Sequence, residues 1–215
     1  MNDYTTDEEL SNKIREWWSR NSLVVVTSIT LALGSFGGFN YWTSTQTQKA
    51  ESLSVNYSQL LIAFNEERFN DAETLADAII QFNENSSYSA LSKMLLAKIK
   101  FDSGDNVAAK SLLQQVVAEG REIELTATAR ERLARIYLQE GNTEAAEETL
   151  LNKNRRTSDR SLELLGDIYQ AQKNIEEASV IYNEALDYYQ ASNQDSRYLL
   201  LKINMLENLK AGTAK

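Results

Sequence analysis

Charged residues are absent from one long stretch near the start of the chain and recur throughout the rest. No Asp, Glu, Lys or Arg occurs between Arg20 and Lys49, and residues 23–42 read LVVVTSITLALGSFGGFNYW. About 20 residues at a rise of 1.5 Å each cover the roughly 30 Å hydrocarbon core of a bilayer. The pattern therefore predicts a transmembrane helix over residues 23–42.

Aromatic residues stand at both ends of this apolar stretch. Amphipathic rings prefer the headgroup layer of a bilayer, and the chain carries Trp17, Trp18, Tyr41 and Trp42 at the two ends. We therefore expect these four side chains to anchor the helix at the membrane interfaces. The Ser and Thr residues of the stretch are compatible with lipid, because their hydroxyls can bond to the preceding turn of a helix.

Two other interpretations of the stretch stay open. A buried helix of a soluble domain is usually shorter and carries a polar face. A cleaved signal peptide ends in a small-x-small site, whereas this stretch ends in Tyr41 and Trp42. A lipoprotein is excluded because the chain has no cysteine to acylate. We interpret the stretch as an uncleaved signal anchor.

Basic residues are more frequent before the apolar stretch than after it. Lys13, Arg15 and Arg20 precede it, whereas Lys49 alone follows within a comparable distance. Because basic residues that flank a span tend to stay in the cytoplasm, this bias predicts a cytoplasmic amino terminus. Everything after Trp42 would then lie across the membrane, in the periplasm if the source is a Gram-negative bacterium. The predicted organisation is a cytoplasmic segment at residues 1–22, a transmembrane signal anchor at 23–42, a stalk at 43–52 and a periplasmic domain at 53–210.

Small residues form a notch inside the predicted span. Gly34 and Gly38 are four positions apart, and Gly37 lies beside them. Such a small-xxx-small pair lets a second helix approach closely in the bilayer. The notch predicts a packing site for a partner helix in the membrane.

Three segments of the remaining chain align with one another without gaps. They are LAKIKFDSGDNVAAKSLL from Leu96, LARIYLQEGNTEAAEETL from Leu133 and LGDIYQAQKNIEEASVIY from Leu165. In each segment a small residue follows the first leucine, and an alanine stands twelve positions after that small residue. The small residues are Ala97, Ala134 and Gly166, and the alanines are Ala109, Ala146 and Ala178.

Each repeat is interpreted as a pair of antiparallel helices whose backbones approach closely at the small residues. Gly104 and Gly141 fall at the turn between the helices, where a left-handed backbone ends a helix, and Lys173 takes this place in the third copy. An alanine 37 residues before Ala109 marks a degenerate first copy. The period is that of helical-hairpin solenoids. The pattern resembles the tetratricopeptide repeat family over about residues 50–190, and this resemblance implies an all-α solenoid.

A last helix is predicted from Asp195 to Leu209. It would cap the open end of the solenoid, because terminal repeats must close the core. Its apolar residues form a broad stripe on one side of the helix, namely Tyr198, Leu199, Ile203, Leu206 and Leu209.

Composition excludes several classes of function. The net charge of -9 argues against nucleic-acid binding, which needs a basic face to replace phosphate counterions. The chain has no histidine and no cysteine, so the commonest general base, nucleophiles and zinc ligands are missing. We therefore predict no catalytic residues, no metal site and no cofactor. The protein is expected not to be an enzyme.

Two kinds of charged cluster were weighed as sites. Acidic pairs such as Glu66–Glu67, Glu147–Glu148 and Glu176–Glu177 are interpreted as solvated surface, because a glycosidase-like pair needs a cleft lined by aromatic residues. The basic run Lys153–Arg156 lies between repeats. It is interpreted as a solvated loop, with docking of an acidic partner or a lipid headgroup as the alternative.

The default role of a helical-hairpin array is to bind other proteins. Its concave surface is built mostly from the first helices of the hairpins and holds extended or helical peptides. Polar positions on the predicted first helices are the candidate groove residues, namely Asn56, Lys93, Lys100 and Arg130.

The layout of the whole chain has a counterpart among known families. A short acidic tail leads to a span ending in GGFNYW, and TQKAESLSVNYSQLLIAF then leads into the repeats. Over nearly its full length this layout resembles the YfgM family of inner-membrane proteins of Gram-negative bacteria. The resemblance implies an ancillary subunit of the Sec translocon that works with a membrane-anchored periplasmic prolyl isomerase-like chaperone. It also implies that nascent polypeptides are passed to periplasmic chaperones.

A regulatory role is the alternative function. The same resemblance is compatible with a membrane-anchored scaffold that sequesters a stress-response regulator through residues 1–22. Deleting residues 2–12 while the anchor is preserved separates the two hypotheses, because only the regulatory role would suffer.

Overall fold

A computed structural model describes residues 7–151 and 159–213 of the chain. Every element of regular secondary structure in these residues is an α-helix, which confirms the predicted all-α class. The basic run Lys153–Arg156 lies outside the described residues. In chain order the helices are α1 (Asp7–Asn65), α2 (Phe69–Phe82), α3 (Ser87–Asp102), α4 (Asn106–Glu119), α5 (Ile123–Gln139), α6 (Thr143–Leu150), α7 (Asp159–Ala171), α8 (Ile175–Ala191) and α9 (Arg197–Thr213).

The chain divides into two compact units, Met1–Val55 and Asn56–Lys215. In the first unit, residues Glu9–Thr45 form a helix that is long and apolar enough to cross a membrane. Residues 43–52, which the sequence presents as a stalk, are helical and belong to α1.

Hydroxyl groups of the apolar helix bond to its own backbone. Thr27 donates to the carbonyl oxygen of Leu23 at 2.6 Å, and Thr30 donates to that of Val26 at 2.8 Å. These bonds satisfy the two hydroxyls within the helix itself, as a lipid environment requires.

The second unit is a series of helical hairpins. Turns join the end of α1 to α2, α3 to α4, α5 to α6, and α7 to α8. The turn residues have positive φ at Gly104 (86°) and Gly141 (77°), and also at Lys173 (64°), as the aligned repeats predict. In the first two of these turns the residue after the glycine, Asp105 or Asn142, caps the amino end of the next helix. The side chain of Asp105 accepts a hydrogen bond from the backbone of Ala108 at 3.0 Å.

The hydrophobic cores connect each hairpin to the next. One core joins α3 and α4 to α5, a second joins α5 and α6 to α7, and a third joins α7 and α8 to α9. Each of the last three hairpins therefore shares buried side chains with the first helix that follows it, which is the construction of a solenoid. The small residues predicted at the helix contacts are all buried, namely Ala72, Ala97, Ala109, Ala134, Ala146, Gly166 and Ala178.

The third repeat shows most directly why a small residue is required. A Cβ atom added to Gly166 would lie 2.4 Å from two ring atoms of Tyr182. Tyr182 is fully buried, and its hydroxyl lies 2.7 Å from Oδ1 of Asp167. In the two preceding repeats the aligned pairs are Ala97 with Leu113, and Ala134 with Leu150. The larger tyrosine of the third repeat is thus matched by the smaller glycine.

We expect Gly166→Ala to destabilise the second unit by about 1–3 kcal/mol, because overpacking displaces the tyrosine ring. In a Tyr182→Leu background the same change should be neutral or stabilising, because the pair then matches the other repeats and alanine favours helix. Urea unfolding of residues 56–215 in the four proteins of this double-mutant cycle measures the coupling. Strictly additive effects would contradict the proposed size match.

Candidate protein-binding surfaces

The four groove residues predicted from sequence differ in burial and in partners. Lys93 is 1% exposed and forms an ion pair with Glu119 of α4. Nζ of Lys100 lies 2.6 Å from Oε2 of Glu73 in α2, so this lysine also engages a second helix. Asn56 and Arg130 are half-buried, on α1 and α5. None of the four lines the cleft between α3 and α5.

A cleft of about 270 Å³ lies between α3 and α5, the first helices of two successive repeats. Its floor is apolar, and charged side chains stand around it. The lining residues are Ala97, Lys98, Phe101 and Asp102 of α3, Leu113 of α4, and Arg132, Arg135 and Ile136 of α5.

Positive charge dominates the cleft, although the whole chain carries a net charge of -9. Nζ of Lys98 is paired with Oδ2 of Asp102 at 2.8 Å. Arg132 donates to the backbone carbonyl of Met94 at 3.2 Å, and Arg135 is exposed. Three cations thus face one carboxylate. The lysine and arginine side chains can donate hydrogen bonds to carboxylates and to the backbone carbonyls of an extended or helical peptide. The apolar floor of the cleft can contact the hydrophobic side chains of such a peptide.

One ring of an aromatic pair lies within electrostatic reach of Arg132. Tyr57 of α1 and Tyr88 of α3 have ring centroids 5.6 Å apart. Burial raises the pKa of Tyr57, and the positive charge of Arg132 opposes that shift without cancelling it. Aromatic and arginine side chains are the residues that most often dominate protein-protein binding energies.

The sequence does carry a signal for part of this cleft. Lys98 and Arg135 occupy the same repeat position, directly after the small residues Ala97 and Ala134. The third repeat has Asp167 at this position. The aligned repeats therefore mark a series of charged positions, one from each first helix.

In the third repeat this position belongs to an ionic cluster that joins α7 to α9. Nζ of Lys202 lies 2.6 Å from Oδ1 of Asp167 and 2.8 Å from Oε1 of Glu163. The ammonium group also lies 4.9 Å from the ring centroid of Tyr198. Burial disfavours both charges, but their mutual hydrogen bonds outweigh it. The pKa of Glu163 is lowered and that of Lys202 is raised.

The membrane helix offers a second candidate surface, in the first unit. The side chains of Trp17, Trp18, Tyr41 and Trp42 are exposed. An added Cβ at Gly34, Gly37 or Gly38 would meet no atom within 4 Å. The glycine notch is therefore open to a partner helix, and the aromatic rings are available to the bilayer interfaces.

Metal chemistry has no support in the described part of the chain. Among residues 7–151 and 159–213, no group of three or more His, Cys, Asp or Glu side chains could hold a metal ion. The carboxylate of Glu147 instead accepts hydrogen bonds from Gln172 at 2.7 Å and from Tyr169 at 3.4 Å.

Comparison with known protein families shows the family to which the chain belongs. The sequence model of the tetratricopeptide repeat-like domain family matches residues 15–208. The chain belongs to this family. Members of this kind serve protein interaction by presenting the surface of a helical-hairpin array.

Two relatives confirm the resemblance to the YfgM family. The chain is 29% identical over 205 residues to the ancillary SecYEG translocon subunit of Aggregatibacter actinomycetemcomitans, covering 94% of this chain and 99% of that protein. It is 25% identical over 170 residues to the protein of the same name from Haemophilus influenzae, covering 78% of this chain and 83% of that protein.

A solved structure supports the solenoid fold. The crystal structure of BtubC from P. vanneervenii matches with a TM-score of 0.57 at 14% identity, covering 66% of this chain and 64% of that one. At this identity the likeness concerns the fold alone. It agrees with the hairpin series described above.

The ionic cluster of Lys202 generates a prediction about pH. Glu163 has a folded pKa below its ordinary value of 4.5, so its contribution to stability is present above pH 4.5 and is lost as the pH falls through the folded pKa. We expect Lys202→Met to lower the free energy of unfolding by about 1–3 kcal/mol at pH 7, because two half-buried carboxylates lose their cation. The difference from wild type should shrink below pH 4.5.

Urea unfolding of residues 56–215 as a function of pH measures this difference. Lys98→Met is the matched control, because its partner Asp102 is four residues away and both side chains are 49% exposed. Such surface pairs contribute about 0.3–0.5 kcal/mol. An equal loss in both variants, or a loss at Lys202 that does not depend on pH, would contradict the role of the cluster.

Proposed function

We propose that this protein is a non-enzymatic, membrane-anchored ancillary subunit of the Sec translocon. Three observations support the proposal. The relatives that cover most of the chain are named ancillary SecYEG translocon subunits. The family fold is a scaffold for protein interaction. One helix, Glu9–Thr45, is long and apolar enough to cross a membrane.

The proposed topology places the amino terminus in the cytoplasm and the repeats in the periplasm. Lys13, Arg15 and Arg20 on the amino side of the span support this orientation. The aromatic residues at its two ends would lie at the membrane interfaces. We assign the notch of Gly34, Gly37 and Gly38 to contact with a helix of the translocon, because small residues permit close packing in lipid.

The cleft between α3 and α5 is the proposed site for client or chaperone segments. Its apolar floor would contact hydrophobic side chains, and Arg132 and Arg135 would donate hydrogen bonds to carboxylates or backbone carbonyls of the bound segment. Translocated polypeptides are unfolded and expose both kinds of group. A periplasmic prolyl isomerase-like chaperone, itself membrane-anchored, would receive them. The cleft is the single observation that carries this part of the proposal.

Site-specific photocrosslinking tests the cleft. A photoreactive residue at Arg135 in the full-length chain, in native membranes, should give adducts with a translocating polypeptide or a chaperone. Val107 is the matched control, because it lies on a second helix, α4, and is 76% exposed. Equal adduct yields at Arg135 and Val107 would contradict a role of the cleft. In the same experiment, Gly34 should yield adducts with a membrane subunit of the translocon.

The anchor is expected to be essential for capture although not for folding. A cleft that is tethered beside the channel exit meets nascent chain at a high effective concentration, in the millimolar range for short linkers. This concentration compensates for a low affinity of the cleft. Residues 56–215 without the anchor should therefore keep their thermal unfolding transition but lose crosslinks to polypeptides leaving the channel. Deletion of residues 2–12 with the anchor intact is the control and should leave capture unchanged.

Capture by the detached domain as efficient as by the full-length chain would contradict the tethering mechanism. Loss of function confined to the deletion of residues 2–12 would instead favour the regulatory scaffold.

A further inference from the structure

The space between α3 and α5 has an equivalent one repeat further along the chain, between α5 and α7. In the aligned repeats, residues of α3 and α4 correspond to those 37 positions later, and residues of α5 correspond to those 32 positions later. The apolar residues of the cleft are Ala97, Phe101, Leu113 and Ile136, and their counterparts are Ala134, Leu138, Leu150 and Ile168. Apolar side chains thus occupy all four positions in both places.

The four counterparts belong to one hydrophobic core. Ala134 and Ile168 are buried in it, and Leu138 and Leu150 pack against it. A fifth residue, Leu164 of α7, completes this core and is 3% exposed. Its side chain fills space between α7 and the preceding hairpin.

An arginine takes the place of this leucine at the cleft. The residue before the first leucine of the three aligned segments is Leu95, Arg132 and Leu164, respectively. Arg132 is exposed, and its guanidinium donates to the backbone carbonyl of Met94 at 3.2 Å. A charged head that stays at the surface does not fill the apolar space beneath it. The cleft of about 270 Å³ therefore lies where one large apolar side chain is missing.

We propose that this cleft is a socket for one large apolar side chain, preferably aromatic, of a polypeptide segment that carries a carboxylate beside it. Arg132 determines the specificity, because it leaves the socket open and places a positive charge at its rim. The incoming side chain would take the place that Leu164 holds in the next repeat. This assignment rests on the function proposed above for the cleft and specifies the class of segment that binds there.

The size and lining of the socket suit a single side chain. Small-molecule sites measure roughly 300–1,000 Å³, so a cleft of about 270 Å³ holds a side chain more readily than a whole ligand. Phe101 is half-buried at the cleft, where the next repeat has Leu138. An aromatic ring that enters the cleft can make an edge or offset contact with Phe101, which adds to the burial of apolar area. An aromatic side chain is therefore favoured over an aliphatic one.

Charge at the rim of the socket favours a carboxylate in the bound segment. Nζ of Lys98 lies 2.8 Å from Oδ2 of Asp102, so these two charges offset each other. The hydrogen bond of Arg132 goes to a neutral carbonyl, which leaves its positive charge in place. Arg135 adds a second guanidinium to the cleft. A carboxylate next to the apolar side chain can accept charge-assisted hydrogen bonds from these arginines, whereas a lysine there would be repelled.

A carboxylate of the chain itself also interacts with Arg135, but it has other partners. Glu163 of α7 is within electrostatic reach of Arg135. Its two oxygens accept hydrogen bonds from Lys202 at 2.8 Å and from Tyr189 at 2.9 Å. An incoming carboxylate would therefore compete at Arg135 with a group that two other donors already hold.

Binding of three synthetic peptides to the purified full-length chain in detergent micelles tests the socket. The probes are fluorescein-labelled Gly-Ser peptides with a central Glu-Phe-Glu, Lys-Phe-Lys or Glu-Ser-Glu sequence. Fluorescence anisotropy at about 0.15 M salt measures their dissociation constants. Glu-Phe-Glu should bind about tenfold more tightly than either of the others, because it alone offers both the ring and the carboxylates. Non-specific attraction to a chain of net charge -9 would instead favour Lys-Phe-Lys.

Substitutions at Arg132 separate the opening of the socket from its charge. Arg132→Leu restores the leucine of the other two repeats, so it should weaken Glu-Phe-Glu binding about tenfold and raise the midpoint of thermal unfolding by about 2–4 °C. Arg132→Gln keeps a polar side chain without the charge, so it should weaken Glu-Phe-Glu less and narrow its advantage over Lys-Phe-Lys. Arg121→Leu is the matched control. Arg121 is exposed outside the cleft, where it contacts Asn85, and its loss should leave binding unchanged.

Four results would overturn the proposal. The first is no binding of Glu-Phe-Glu at about 1 mM, the effective concentration that a short tether supplies. The second is equal binding of Glu-Ser-Glu, which indicates charge without a socket. The third is Lys-Phe-Lys binding as tight as that of Glu-Phe-Glu. The fourth is an Arg132→Leu variant that binds Glu-Phe-Glu as tightly as the Arg121→Leu control does.

Failure of the socket and failure of the proposed function give different results. The peptide measurements need no translocon, whereas the photocrosslinks of Arg135 are formed in native membranes. Selective peptide binding without adducts at Arg135 would support the socket and contradict the translocon function. Adducts at Arg135 together with unselective peptide binding would support the function and overturn the socket.

Discussion

Close approach of paired helix backbones is the constraint on which the second unit depends. The two helices of each hairpin meet where one side chain is alanine or glycine, and these positions are fully or almost fully buried. A large side chain from the facing helix fills the space, as Tyr182 does above Gly166. Because interiors are close-packed, the sizes of the two partners must change together. This pairing fixes the spacing of the helices, and with it the position of every surface residue that the hairpins carry.

The charged surface follows from this regular spacing. The residue after the small one points away from the core in each first helix, and it is Lys98, Arg135 and Asp167 in successive repeats. The first two stand at the cleft between α3 and α5. The third is held by Lys202 of α9, so the same repeat position lines a cleft in the middle of the array and attaches α9 at its end.

Much of the fold could be predicted from the sequence because its causes are local. The helical hairpins follow from the aligned small residues, and the turns follow from Gly104 and Gly141. The candidate groove was harder to predict. The sequence predicts that Lys93 is an accessible polar residue on a first helix. In the structure its side chain is buried and its ammonium group pairs with Glu119. Helix periodicity indicates which residues share a face, but it does not identify the neighbour that covers that face. The same reason explains α9, whose apolar stripe is evident and whose division is not.

The ionic cluster at Lys202 explains why α9 buries one apolar face rather than the other. Both faces carry large apolar side chains, so burial of apolar area alone distinguishes them poorly. Lys202 lies between the two faces on the helix surface, and its ammonium group is held by Glu163 and Asp167 of α7. Rotation of α9 about its axis to bury Tyr198 and Leu201 would carry the lysine away from both carboxylates and leave them without a cation. The ionic cluster at the edge of the apolar contact thus selects the rotation of α9 about its axis. The cluster thereby determines which face of α9 remains exposed at the end of the solenoid.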